Sequence, residues 1–141
     1  MERQYTISNY APTIEEYKYL CSVVGWEDYM NFDVAEISLK NSVFAVTVKD
    51  ESKAIGMGRI VGDGAIYFYI QDVVVHPDYQ GMGIGKKIMN ALVEYLKENA
   101  PNKAFVGLFA SEGKEKFYEK YDFKDYSPSM TGMFTVITKC D

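Results

Sequence analysis

The stretch "VVVHPDYQGMGIGKKIM" at residues 73–89 sets a run of valines and a proline turn before three alternating glycines, Gly81, Gly83 and Gly85, and two lysines, Lys86 and Lys87. A β-rich run that passes through bare backbone into a helical pattern exposes the first N–H groups of the helix. Those groups, with the helix dipole, attract anions. Glycine allows positive φ and close approach, and the lysines add charge, so the chemistry expected is the holding of a phosphate or diphosphate.

The spacing excludes two common nucleotide loops. A P-loop places four residues between its first glycine and a Gly-Lys pair that Ser or Thr follows, whereas Gly81 and Gly85 enclose three residues and Lys87 follows Lys86. A dinucleotide fingerprint reads G-x-G-x-x-G after the first strand of a βαβ unit. Here the order is G-x-G-x-G, after what reads as a meander.

What remains is Q-x-x-G-x-G, from Gln80 through Gly83 to Gly85. With its flanks "IQDVVVHPDYQGMGIGKKIM", and with the later "KFYEKYDF", it resembles the acyl-coenzyme A loop and the F-Y-x-x-x-G-F segment of the GNAT superfamily of N-acetyltransferases. The resemblance extends over essentially the whole chain. It implies an acetyl-CoA-dependent N-acetyltransferase in which Val73, Val74 and Val75 hold the pantetheine arm, while Gln80, Gly81, Met82, Gly83, Ile84, Gly85 and Lys86 cradle the diphosphate. It also implies that Tyr118 is the general acid for the departing thiolate and that Ser111, where the family often has asparagine, contacts the cofactor. A phenol near pKa 10 giving its proton to a thiolate near 8.5 is uphill by roughly 2 kcal/mol in water, a gap that desolvation of the thiolate narrows. Tyr118 is one of 12 tyrosines, and packing is the alternative role for it.

Two positions depart from the family pattern. Gln71 stands where related enzymes often carry a base, and an amide cannot serve as one. Strand alternation puts Tyr69 on the face of Gln71 and Asp72 on the other, so a water relay to Tyr69, or a carboxylate from elsewhere, is expected. Asp72 reads either as a participant or as the partner of a backbone group or an arginine. Asp122 replaces the glycine before the last phenylalanine, which predicts a differently shaped helix exit. The lone histidine, His76, reads as part of the turn, and Arg59 as a solvated strand position or a contact for an acidic substrate group.

The elements that must position these residues follow from periodicity. A first strand is expected over residues 3–8, a helix over 12–26 with Pro12 in its first turn, and a second short helix over 27–40. Strands over 42–50, 53–62 and 65–75 form an antiparallel meander with a tight turn at Asp63 and Gly64. An amphipathic helix over 83–100 carries Ile84, Ile88, Leu92, Tyr95 and Leu96 on one face and crosses to a parallel strand over 103–110. A short helix over 113–122 and a terminal strand over 131–139 complete the expectation. The fold class is α/β, an α+β mixed sheet, GNAT-like, with about six to seven mostly antiparallel strands and about four helices.

At 141 residues, of which 48% are hydrophobic, the chain reads as one domain over residues 1–141. No apolar run approaches the roughly 20 residues of a bilayer span, so a cytoplasmic protein with no membrane partner is expected. A net charge of −5 argues against a nucleic-acid surface and favours a cationic or neutral substrate. Cys21 and Cys140 suggest neither a disulfide framework nor a metal site.

The acceptor is an amine of a small molecule or protein, and the aromatic residues Trp26, Tyr29 and Phe32 could line a pocket for it. The exposed terminal strand would admit a homodimer. A catalytically inactive coenzyme A sensor or protein-interaction module is the alternative, motivated by Gln71 and Asp122.

Overall fold

The computed structural model describes residues 5–139. Two compact units divide the chain at Leu108 and Phe109. The first holds a five-stranded sheet in the order β1-β2-β3-β4-β5, built from Thr6–Ser8, Phe44–Asp50, Lys53–Gly62, Tyr67–Val75 and Phe105–Gly107. The first four strands pair antiparallel and β5 pairs parallel to β4. The parallel pair needs a crossover, which α3 (Ile84–Asn99) supplies.

Each face of the sheet is covered by helix. On one, α3 buries Ile84, Ile88, Met89, Leu92 and Leu96, the expected stripe. It approaches so closely that a Cβ on Gly58 of β3 would lie 2.5 Å from Ile88 Cγ2 and 3.1 Å from Leu92 Cδ1. On the other face, Tyr17, Leu20 and Cys21 of α1 (Ile14–Val23) pack with Ala35 and Leu39 of α2 (Ala35–Lys40) against Met57 and Val74. Helix α1 begins two residues after Pro12, because Thr13 caps it. The Thr13 hydroxyl accepts from Glu16 N at 3.1 Å and Glu16 Oε1 accepts from Thr13 N at 2.9 Å.

Three expectations change. Residues 27–40 are not one helix but two 3₁₀ turns, Glu27–Tyr29 and Phe32–Val34, followed by α2. Met30 and Asn31 are extended between them, and the Asn31 side chain accepts from Asp33 N at 3.1 Å, a local bond that competes with helix. The strand expected over 103–110 shortens to β5. Residues 131–139 are rich in β-branched and aromatic side chains but form no strand, and Met133, Phe134, Val136 and Ile137 are exposed. Composition favours extended backbone, whereas a strand also needs a paired one, so among the described residues the sheet has five strands rather than six to seven. The homodimer expected through that edge is left without its strand. The expected first strand over residues 3–8 lies partly outside the described residues, and Cys140 lies outside them.

The second unit, from Phe109 onward, contains α4 (Glu115–Glu119). Within it Phe109 packs edge to face on Phe134, and Phe117 on Tyr118 and Tyr121. Among the described residues no helix is long and apolar enough to cross a membrane.

Candidate active site

A bulge in β4 organises the site. Arg59 of β3 pairs with Gln71 and Met57 pairs with Val74, so Asp72 and Val73 together oppose the single residue Gly58. Asp72 takes φ 56, a left-handed conformation that aspartate tolerates better than most residues. Residues paired across a ladder share a face, so Gln71 projects with Arg59. The bulge brings Asp72 to that same face, and both line one cavity. The expectation from alternation, with Asp72 opposite Gln71, is therefore overturned. Tyr69, paired with Val61, keeps the face of Gln71 as expected.

Asp72 is buried at the centre of a polar network. Its Oδ2 accepts from Arg59 Nε at 3.0 Å and from the Tyr17 hydroxyl at 2.9 Å. Arg59 Nη1 donates to Ser38 O and Ser42 Oγ, each at 3.0 Å, and Nη2 to Ser38 Oγ at 3.2 Å. Burial, then the charge of Asp72, holds the Tyr17 phenol far above its ordinary range, and the same causes push the Cys21 thiol up to about 11. Arg59 is thus neither solvated nor available to an acidic ligand. Its one sequence signal was an arginine inside the otherwise uncharged run "AIGMGRIVG", which a solvated strand would not carry alone.

The cavity measures about 490 Å³ and is lined by Tyr17, Trp26, Tyr29, Met30, Ser38, Arg59, Gln71 and Asp72. Of the aromatics proposed for it, Trp26 and Tyr29 are present. Phe32 instead packs on Tyr17, centroids 6.3 Å apart, against the core.

Downstream of the bulge, β4 runs through Val73, Val74 and Val75. The register of β5 ends at Tyr69 and Gly107, so residues 70–75 carry no strand on their outer side among the described residues. His76 then turns the chain: its Nδ1 accepts from Asp78 N at 3.1 Å, and its Nε2 lies 2.9 Å from the Tyr19 hydroxyl. With Nδ1 accepting, the ring proton sits on Nε2. This buried bonding gives His76 the turn role expected of it. Gln80 Nε2 donates to Val75 O at 3.2 Å and closes the loop.

Gly81 at φ 81 and Gly83 at φ 80 are left-handed, and a Cβ on either would meet nothing within 4 Å. Gly83 is the N-cap of α3 and offers no side-chain cap. Lys87 N bonds back to Gly83 O at 3.1 Å, and the N–H groups of Ile84, Gly85 and Lys86 precede that first helical bond. Met82 is exposed, and its sulfur accepts from the Tyr5 hydroxyl at 3.5 Å.

In the second unit Ser111 is exposed and its carbonyl accepts from Lys114 N at 2.9 Å, in the turn before α4. Tyr118 is half-buried, and burial holds its phenol above the ordinary tyrosine value. Asp122 takes φ 70, the conformation for which glycine is the natural residue, so the helix exit is glycine-shaped despite the substitution. Among the described residues no group of three or more His, Cys, Asp or Glu could hold a metal ion.

Residues 11–123 match the profile of the Acetyltransferase (GNAT) family. The chain is 34% identical over 134 residues to an uncharacterized N-acetyltransferase of Pyropia yezoensis, an alignment that covers 92% of this chain and 75% of that one. Its fold is similar to a crystal structure from meticillin-resistant Staphylococcus aureus described as a "Probable Acetyltransferase", with a TM-score of 0.88, 33% identity, and coverage of 95% of this chain and 100% of that one. A GNAT family acetyltransferase from Streptococcus pneumoniae matches with a TM-score of 0.77 at 29% identity, over 96% of this chain and 100% of that one.

Proposed function

Since the chain belongs to the Acetyltransferase (GNAT) family, we propose that it is an acyltransferase that moves an acetyl group from acetyl-CoA to a primary amine of a small molecule or protein. The observation that carries this reading is the outer side of β4, which over residues 70–75 pairs with no strand among the described residues and leads directly into the glycine turn and the N-terminus of α3. The open space at Gly81 and Gly83 and the first-turn N–H groups, which precede the first helical bond, fit a diphosphate, and the outer edge of β4 fits an amide-bearing arm that bonds to backbone like a strand. Reading residues 1–141 as one acetyltransferase domain is part of the proposal, supported by a family match that runs over 11–123.

Bound acetyl-CoA supplies a thioester, whose carbon–sulfur bond is exchanged for a bond to the acceptor nitrogen. In this reading Val73, Val74 and Val75 align the arm through their backbone, and an N–H near Val73 polarises the thioester oxygen. Gln80 supports the loop formed by Gly81, Met82, Gly83, Ile84, Gly85 and Lys86, and Ser111 contributes a hydroxyl to the cofactor. Tyr118 gives its proton to the departing sulfur; a phenol is protonated at neutral pH, and the burial that raises it further makes the desolvation of the thiolate the more necessary for the transfer. Gln71 is an amide and cannot act as a base, and Asp72 Oδ2 is engaged by Arg59 and Tyr17. The amine's proton goes to water, directly or past Tyr69, and Tyr118 is reprotonated from solvent.

A second reading, a coenzyme A sensor or interaction module without catalysis, is favoured by Gln71 at the cavity wall. Incubation with acetyl-CoA and a panel of amines is expected to release free thiol. Tyr118→Phe is expected to lose that release while keeping the thermal shift that coenzyme A induces. A ligand at 100 times its Kd adds about 2.7 kcal/mol to stability, so the shift is readily measured. Tight cofactor binding with no turnover on any amine would leave the module reading in place.

A further inference from the structure

We infer, on the basis of the acetyl-transfer reading, that the acceptor is a cationic amine carried on an aromatic or apolar body that bears no phosphate or carboxylate. The cavity meets β4 at Gln71 and Asp72, next in sequence to the proposed polarising N–H near Val73. Its volume, about 490 Å³, suits a small molecule. Trp26, Tyr29 and Met30 supply apolar area and aromatic faces, which attract ammonium groups.

The polar lining selects the sign of charge. Arg59 is the one basic side chain among the lining residues, it is 4% exposed, and four of its five N–H donors are engaged by Asp72, Ser38 and Ser42. An anionic group would have to break those bonds to take a bidentate hold on it. Asp72, by contrast, takes the bonds of Arg59 and Tyr17 on Oδ2, and among the described residues no donor reaches Oδ1. A carboxylate oxygen therefore remains at the wall to accept from an ammonium, and the Gln71 amide oxygen can accept beside it.

The chain has a single tryptophan, and it lies in this cavity, so its fluorescence reports binding without any turnover. The test titrates 2-phenylethylamine, phenylacetate and glucosamine 6-phosphate into the protein. The amine is expected to change the Trp26 signal at a Kd at least ten-fold below those of the two anionic probes. Tyr29→Ala removes an 85% exposed side chain, and so leaves the core intact. It is expected to weaken 2-phenylethylamine by about three-fold or more.

Equal or tighter binding of either anionic probe overturns the inference, as does binding of none of the three or an unchanged Kd in Tyr29→Ala. Thiol release from acetyl-CoA is followed in parallel. Amine-selective binding without release sinks the transfer reading and leaves the charge selection standing.

Discussion

Arg59 and Asp72 form a buried ion pair, Nε to Oδ2 at 3.0 Å with both side chains 5% exposed, across the one place where the β3–β4 ladder loses register. The pair holds the bulge, and the bulge faces the cavity. Breaking it from one side leaves a buried charge without a partner, so Arg59→Met is expected to cost about 3–5 kcal/mol in chemical denaturation. Adding Asp72→Asn, which tolerates the left-handed backbone and keeps an oxygen for Tyr17, should recover more than half of that loss. A double variant no more stable than Arg59→Met would show that the network is not the source of the cost.

Gly58 stands opposite the bulge and under α3. Gly58→Ala puts a methyl 2.5 Å from Ile88 Cγ2, and is expected to destabilise by about 1–3 kcal/mol. In an Ile88→Ala background the same change should cost much less. A double-mutant cycle measured by urea unfolding reads the coupling, and purely additive effects would contradict the packing described.

Asp122 occupies φ 70 at the exit of α4. Left-handed backbone is costly for a residue with a Cβ, so Asp122→Gly is expected to raise stability by up to about 1 kcal/mol. A lower melting temperature would mean that the carboxylate supports the turn by a bond of its own.

The Cys21 thiol ionises at about 11 in the fold, raised by burial and then by the charge of Asp72, against 9.0 for an ordinary thiol. Between those values the unfolded chain binds fewer protons than the native one, so stability falls as pH rises from 9 to 11. Tyr17, raised by burial and Asp72, acts in the same direction above pH 10. Cys21→Ala should give a shallower fall over this window, and the native thiol should resist alkylation at pH 8. Rapid labelling without unfolding would contradict both expectations.

The meander and α3 were legible because their signals are local: β-rich runs bounded by turn residues such as Asp63 and Gly64, and an apolar stripe from Ile84 to Leu96. The glycine turn was legible for the same reason. The placement of Asp72 was not, since alternation assumes a regular strand and a bulge is set by the neighbour, here Gly58 opposite Asp72 and Val73. Arg59 misled because a charge reads as solvated until its partners are known, and those lie on β4, α2 and the turn after α2. Residues 131–139 show the converse, a β-rich composition with no ladder to join. Asp122 shows that a conformation can outlast the residue type that ordinarily supplies it.

The bulge also resets the parity of β4. Before it the odd positions, Tyr69 and Gln71, share the face of Arg59; after it the even position Val74 does, paired with Met57. Which face a β4 residue serves therefore depends on which side of Asp72 it lies. Removing one residue there would regularise the ladder and invert either the acceptor wall or the valines, so the two halves of the strand can be kept in their present roles only together with the irregularity between them.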